Sequence, residues 1–358
     1  MGETLEMIDE YRLDGHKLMY HVERVNDWLK GDDVYPIYVE ISPSGACNQR
    51  CVFCGLDFMK YQSRFLNTSI LADRLQEMGV LGVKAINYSG EGEPLLHKEI
   101  DDIILDTKKA GIDVGVTTNG VFLERLFSVL ENLTWVKISV NAATKETYTK
   151  IHRSNSFDRV MRNLHTIAGI KRNEDYKCTL GIQFLLLPEN FDEVAELAQT
   201  VKDIGVDYFV VKPYSRHLQS NNTKYDAIKY DQYFSLLSQL EELSDNHFNV
   251  VVRWNSMKNW DNPSHYYDRC LALPFWAHID SGGNVWGCGN HLDDERFYYG
   301  NINQQSFEDI WMGGRRKKSL RWVAKDLDTS SCRVNCRMNE INSYLWRLTH
   351  PSQHDNFI

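Results

Sequence analysis

Tyr38-Val39-Glu40-Ile41, then Ser42-Pro43-Ser44-Gly45-Ala46, then Cys47-Asn48-Gln49-Arg50-Cys51-Val52-Phe53-Cys54 form one continuous stretch. An apolar, β-branched run reads as a strand, the Pro and Gly end it, and three cysteines fill the loop that follows. Similar runs recur at Val83 to Tyr88, Ile112 to Thr117, Trp135 to Val140, Thr179 to Leu187 and Asp207 to Lys212, which makes six strands. Segments with a period near 3.6 separate them. The clearest places Phe157, Val160, Met161, Leu164, Ile167 and Ala168 on one face. Another groups Val194, Leu197, Ala198 and Val201, with Asn190 and Glu193 spaced as a capping box and Gly205 as the stop. Six βα units predict right-handed crossovers and a parallel sheet, either open and doubly wound or curved into a partial barrel. In both forms ligands sit beyond the carboxyl ends of the strands, where the cysteine loop lies.

Composition sets the wider bounds. The chain has 358 residues, 42% hydrophobic and 25% charged, the balance of a soluble globular protein. Forty basic against forty-nine acidic residues give a formal charge of −9, so no sequence-wide positive field favours nucleic acid or an anionic membrane as a partner. No run approaches the roughly 18 apolar residues of a membrane span, and Met1 to Lys30 is too charged for a signal peptide, so a cytoplasmic location is expected. Glu6 stands where a myristoylation signal after Gly2 wants Ser or Thr.

Eight cysteines without a signal peptide read as reduced thiols. Cys47, Cys51 and Cys54 form one group, Cys270, Cys288, Cys332 and Cys336 a second, and Cys178 reads as a lone thiol packed in the fifth strand. Three thiolates leave one metal coordination position open, which suits an iron-sulfur cubane with one free iron, an open zinc site, or simple packing. Four thiolates close a site, and by spacing alone zinc serves as well as a cluster. After about Ser256 the strand–helix rhythm gives way to a region rich in Trp, Tyr, Asn, Gly and Cys, with a hairpin over Ala277 to Trp286 and a helix start at Ser306. The expected divisions are a helical lead-in over 1–34, a barrel over 35–255 and a small metal-stapled unit over 256–358.

The Cys47-x3-Cys51-x2-Cys54 spacing, with Phe53 before the last cysteine, resembles the signature of the radical S-adenosylmethionine (radical SAM) superfamily. Further segments fall at successive strand exits in that family's order. Tyr88-Ser89-Gly90-Glu91-Gly92-Glu93-Pro94 is similar to its glycine-glycine-Glu-Pro segment, with Glu91 at the place of the first glycine of the pair. Thr117-Thr118-Asn119-Gly120 ends the third strand. Ser139-Val140-Asn141 ends the fourth, where the family commonly has Ser-x-Asp, and leads to Arg153. The resemblance spans about residues 35 to 215. It implies a partial (βα)6 barrel, a 4Fe-4S cluster on Cys47, Cys51 and Cys54, and S-adenosylmethionine (SAM) held near Phe53, Gly92, Glu93, Pro94, Ser139, Asn141 and Arg153, with Gln183 of the fifth strand beside them. The Cys270-x12-Gly283-x4-Cys288 hairpin and the pair Cys332-x3-Cys336 resemble a shortened SPASM extension, or Twitch domain, and imply one auxiliary 4Fe-4S cluster.

The resemblance further implies reductive cleavage of SAM, hydrogen abstraction from a substrate, and an external electron donor such as flavodoxin or ferredoxin. Lys212, Tyr214, Arg216 and His217 follow the sixth strand, where substrate would be held, although an ordinary solvated loop accounts for them too. Arg253 and Trp254 face the same cleft or pack between the domains. The 34 residues ahead of the first strand are too few for the leader-binding domain common in peptide-modifying members, which favours a small molecule. Relatives with one auxiliary cluster include aminocyclitol dehydrogenases, so the expected reaction is oxidation or epimerisation of a hydroxylated or amino-sugar-like compound. A peptide modifier and a non-catalytic metal-binding protein are the competing readings. The basic run Arg315-Arg316-Lys317-Lys318 reads as a solvated helix end.

Overall fold

The computed structural model describes residues 16–357, so the Gly2 and Glu6 positions and the start of the lead-in lie outside it. Helix α1 (Val22–Leu29) turns Val25 onto Val34, Ile37, Phe275 and Leu345. The barrel then runs β1 (Tyr38–Ile41), α2 (Thr68–Val80), β2 (Ala85–Tyr88), α3 (Ile100–Lys109), β3 (Asp113–Thr118), β4 (Trp135–Ser139), α4 (Lys145–His152), α5 (Phe157–Asn173), β5 (Thr179–Leu185), α6 (Val194–Ile204) and β6 (Tyr208–Lys212). After it come α7 (Phe234–Glu241), β7 (Asn249–Val252), α8 (Trp254–Asp261), β8 (Trp276–Ile279), β9 (Asn284–Trp286), β10 (Tyr298–Asn301), α9 (Phe307–Trp311), α10 (Gly314–Lys325) and α11 (Asn339–Thr349).

Strands β1 to β7 are parallel and lie in sequence order, so the six expected units stand and Val250-Val251-Val252 adds a seventh strand beside β6. The hairpin read over Ala277 to Trp286 also forms, but it is not detached from the barrel. β8 pairs in parallel with β1, Tyr38 opposite Trp276 and Glu40 opposite His278, and β9 and β10 follow antiparallel. One ten-stranded sheet results, ordered β10-β9-β8-β1-β2-β3-β4-β5-β6-β7.

Two local expectations change. The β3–β4 link is not a full helix: Leu123, Leu126 and Leu130 are buried through two short 3-10 turns. The Asn190–Glu193 capping box does not form, because both side chains are used elsewhere. Asn190 Oδ1 accepts from Leu187 N and its Nδ2 donates to Asn141 O, while Glu193 accepts from the backbone N–H groups of Ala143 and Thr144 ahead of α4. Gly205 does end α6, with φ +94.

The barrel interior is closed at its amino end by aromatic rings lying over glycines. A Cβ on Gly115 would sit 2.3 Å from the Trp135 ring, and one on Gly181 1.9 Å from the Tyr208 ring. Side chains repeat on one face every second residue, so Lys137 and Ser139 follow Trp135, and Val210 and Lys212 follow Tyr208, toward the carboxyl edge.

Candidate active site

The cysteine loop is gripped from several strand exits. Glu93 N donates to Ala46 O at 2.8 Å after β2, and Asn119 Nδ2 donates to Asn48 Oδ1 at 2.8 Å after β3. From α4, Ile151 O accepts from Val52 N at 2.9 Å and Tyr148 Oη accepts from Gln49 Nε2 at 2.7 Å. Beyond β6, Asn222 Nδ2 donates to Val52 O. A loop held this way presents fixed side chains, as a metal centre requires. Partial burial first, and then Cys54 and Cys47, push the Cys51 thiol well above its ordinary range; burial likewise pushes Cys47 up to about 11 and raises Cys54. Thiols that repel one another in this way are deprotonated together only beside a cation, which iron supplies.

Glycines allow the close approach of backbone at this loop. A Cβ on Gly92 would lie 2.2 Å from Ala46 O and 2.4 Å from Ser44 O. Gly90 has φ +110 and its Cβ would meet Ser42 Oγ at 1.7 Å. The adjacent Glu91 has a separate use. It is buried, pairs with Arg64 at 3.1 Å and accepts from Ser281 N, while Arg64 Nε donates to Ser281 Oγ at 2.7 Å. The residue that departs from the resemblance thus ties the β2 exit to the β8–β9 turn.

Glu93 is buried and accepts from Thr118 Oγ1 at 2.6 Å, Asn119 N at 2.8 Å and Leu95 N at 3.1 Å. A carboxylate has about four acceptor sites, so one remains for an ammonium. Burial pushes Glu93 up to about 7, against those three hydrogen bonds. Pro94 is buried and opens the turn behind it.

Asn141 is also buried, and it forms a matched pair with His152. Asn141 N and Nδ2 both lie 3.3 Å from His152 Nε2, and Asn141 Oδ1 accepts from Leu185 N at 2.6 Å. A backbone N–H can only donate, so Nε2 is the acceptor and Nδ1 carries the ring proton. That N–H faces Gln49 Oε1 at 3.0 Å and Cys51 Sγ at 3.4 Å. Burial takes His152 down to about 3, so the ring is neutral. The Phe53 ring stands edge-on to it at 5.7 Å.

A cavity of about 430 Å³ opens at the carboxyl edge. Phe53, Ser139, Asn141, Gln183, Lys212 and Tyr214 line it, as does Arg253. Cys54 from the first cysteine group and Cys336 from the second both reach it. Gln183 Nε2 donates to Ser139 Oγ at 3.5 Å across the strand pair. Tyr214 contributes to the wall, but its hydroxyl donates to Asn222 O at 3.3 Å. Other expected residues lie elsewhere. Arg216 turns away to pair with Asp226 at 2.9 Å, because the β6 exit bends at Tyr214, which is packed against Tyr225 and Trp260. Arg153 is exposed with φ +50 and lines a second cleft beside Cys51, Cys54 and Tyr61. Gly92, Glu93 and Pro94 sit behind the cysteine loop rather than on the cavity wall. Trp254 leaves the cleft and donates to Glu241 at 3.0 Å. His217 lines the wall, donating from Nε2 to Gly289 O at 3.2 Å and accepting from Gln219 N at Nδ1. Cys178 is buried in the core, away from both groups.

Cys270, Cys288, Cys332 and Cys336 line one small cavity below the first. Asn342 Nδ2 approaches Cys270 Sγ at 3.6 Å, and Asn290 Nδ2 and Met338 N approach Cys336 Sγ at 3.4 Å, donors that suit thiolate sulfur. Burial first, then neighbouring cysteines, push Cys270 up to about 12 and Cys288 well above its usual range, so this site too fits a cationic guest. Sequence reasoning missed Arg333 and Arg337, which line the main cavity from the same short segment. The signal was their position, one between the last two cysteines and one directly after them.

A profile of the Radical SAM superfamily matches residues 41–201, and one of the iron-sulfur cluster-binding SPASM domain matches 270–337, which includes all four later cysteines. The GTP 3',8-cyclase of Limosilactobacillus fermentum is 30% identical over 233 residues, 62% of this chain and 65% of that protein. The tungsten-containing aldehyde ferredoxin oxidoreductase cofactor-modifying protein of Pyrococcus furiosus is 22% identical over 85% of this chain and 87% of its own length. Among solved structures, Streptococcus suis SuiB bound to S-adenosylmethionine superposes with a TM-score of 0.67 at 16% identity, covering 93% of this chain and 79% of that one, a likeness of fold. The chain spans 42% to 65% of the length of these GTP 3',8-cyclase relatives. No helix among the described residues is long and apolar enough to cross a membrane. The chain therefore carries a radical SAM domain over residues 41–201 and a C-terminal SPASM-type iron-sulfur domain over residues 270–337, each holding one of the two cysteine groups.

Proposed function

We propose that this chain is a radical SAM enzyme that abstracts hydrogen from a small polar molecule held between its two cysteine groups. The observation that carries this is the single cavity reached by both Cys54 and Cys336. Cys47, Cys51 and Cys54 would hold the first 4Fe-4S cluster, and Cys270, Cys288, Cys332 and Cys336 a second one in a Twitch-like arrangement. When bound, the first cluster and SAM supply a 5'-deoxyadenosyl radical and methionine. The chain's own part is positional. Glu93 offers its remaining acceptor site to the SAM ammonium, with Gly92 and Pro94 setting its distance from the loop, and Phe53, Ser139, Asn141 and Gln183 form the wall past it. Arg153 serves the outer cleft. The aromatic floor at Trp135 and Tyr208 seals the barrel from below and keeps water from the reacting carbon.

Oxidation or epimerisation of a hydroxylated or amino-sugar-like compound remains our reading of the reaction. For an oxidation, the cluster that Cys270, Cys288, Cys332 and Cys336 would hold would supply an acceptor for the electron left once the substrate has lost a hydrogen atom and a proton. The names of the relatives, a GTP cyclase and a cofactor-modifying protein, support a small-molecule substrate over a peptide, and the cavity volume agrees. A flavodoxin or ferredoxin as electron donor, a cytoplasmic location, and a barrel boundary near residue 256 complete the proposal. Anaerobic reconstitution tests it: about eight irons per chain are expected, falling to about four when Cys47, Cys51 and Cys54 are replaced by Ala. SAM should perturb the electron paramagnetic resonance (EPR) signal of the reduced protein and be cleaved to 5'-deoxyadenosine. Zinc without sulfide, or a spectrum indifferent to SAM, sinks the proposal.

A further inference from the structure

The cavity between the cysteine groups is cationic, although the chain as a whole carries −9. Lys212, Arg253, Arg333 and Arg337 line it, and among the described residues Glu40 is the one carboxylate on its wall. Glu40 is already engaged, ion-paired with Arg337 and accepting from Ser89 Oγ. Arg333 is held in place by neutral partners, donating to Ser215 Oγ at 2.8 Å and Asn290 Oδ1 at 3.3 Å. Lys212 stands at the last residue of β6, and the strongest charges bearing on it are Lys137, Arg253, Arg333 and Arg337, all cations. Burial, and then those neighbours, hold its ammonium well below the ordinary lysine range.

Like charges gathered in a half-buried cavity oppose folding unless an anion offsets them. The auxiliary cysteines account for part of the excess, since Arg333 lies between Cys332 and Cys336. They do not account for Lys212, which lines the cavity from the end of β6, or for Lys137, the β4 cation whose charge bears on it.

We propose that the substrate is an anion whose phosphate or carboxylate group is held by Lys212 and Arg333 at the carboxyl edge of β6, with its uncharged part directed toward Cys54. This rests on the reading of the cavity as the substrate site of a radical SAM enzyme. Two donor groups from different elements, the end of β6 and the segment between Cys332 and Cys336, would fix the oxyanion end and leave the reacting carbon free to face the first cysteine loop.

The test uses reconstituted holoenzyme with inorganic phosphate and with malonate, each titrated by calorimetry at constant ionic strength against chloride. Saturable binding of one of them is expected, and whichever binds more tightly names the oxyanion. Lys212→Met should weaken that binding by roughly tenfold or more, and Lys212→Arg should largely restore it, while SAM still perturbs the EPR signal of both variants. The proposal is overturned if the wild type binds neither anion while its SAM response is intact, or if Lys212→Met binds as the wild type does. It is overturned equally if Lys212→Met loses the SAM response, for then the lysine serves the SAM carboxylate. A wild type without any SAM response defeats instead the functional reading beneath it.

Discussion

Replacing Gly92 by Ala should disable the first cysteine group while sparing the second. The new Cβ would lie 2.2 Å from Ala46 O, 2.4 Å from Ser44 O and 2.7 Å from Gly45 C, all backbone atoms of the loop that carries Cys47. Backbone cannot rotate away as a side chain can, so the loop must retreat by roughly 1 Å to reach ordinary contact. The Glu93 N to Ala46 O bond of 2.8 Å goes with it. Overpacking of this kind costs about 1–3 kcal/mol, and the lost hydrogen bond about 1 kcal/mol more. A retreat of that size also exceeds the roughly 0.5 Å within which a functional constellation must be held. The assay is iron and sulfide per chain after anaerobic reconstitution, read beside thermal unfolding. About half the iron should be lost, with the remainder unresponsive to SAM. Gly169→Ala is the control: that position lies in α5 with nothing within 4 Å of its Cβ, so it should load fully and gain about 0.5–1 kcal/mol. A Gly92→Ala protein with full iron and an unchanged SAM response would refute the steric argument.

Glu93 should confer a pH dependence on stability before SAM binds. Its folded pKa of about 7 lies above the ordinary carboxyl value of 4.5, so its neutral form is favoured in the fold. Its contribution is then fully present below about pH 4.5 and is lost as pH rises through 7, by roughly 3 kcal/mol. Urea midpoints between pH 5 and 8 should show that slope, and Glu93→Gln should flatten it; a slope unchanged in the variant refutes the assignment. SAM affinity should move the other way, weakening as pH falls through 7 and the carboxylate is lost, which a binding titration at pH 6 and 8 checks. His152→Phe removes an N–H directed at Cys51 Sγ, so the midpoint potential of the first cluster should become more negative, measured by EPR-monitored redox titration. An unaltered potential in a fully loaded variant would show that the contact does not act on the cluster.

Much of the barrel was legible because each strand and helix carries its own periodic signal. Val160, Leu164, Ile167 and Ala168 are buried along α5 as their spacing predicts. What was illegible depended on distant partners. No local pattern in Trp276 to Ile279 announces that it pairs with Tyr38 to Ile41, far earlier in the chain. Asn190 and Glu193 have the spacing of a cap, yet stronger demands from Asn141 O and the N–H groups ahead of α4 claim them. Arg216 read as a cavity residue by its place after β6, but a carboxylate ten residues on, Asp226, draws it outward. Arg333 stands between the last two cysteines and Arg337 directly after them, and nothing in that local pattern marks either as a cavity residue. Their side chains reach across to the barrel only once the last segment folds over it.

The link from Glu91 and Arg64 to the β8–β9 turn bears on when the protein can be matured. Glu91 accepts from Ser281 N across 190 residues, and Arg64 reaches Ser281 across 217. While the ribosome is still synthesising the middle of the chain, the first three cysteines have already emerged, but the turn that ties down the neighbouring β2 exit has not. Iron delivered to such a nascent chain would find the loop gripped by the barrel strand exits but without this further tie, so insertion should be most productive once Ser281 has emerged and paired. A truncation ending before Ser281 should accordingly hold the first cluster less firmly than the full chain, although it keeps all three of its ligands.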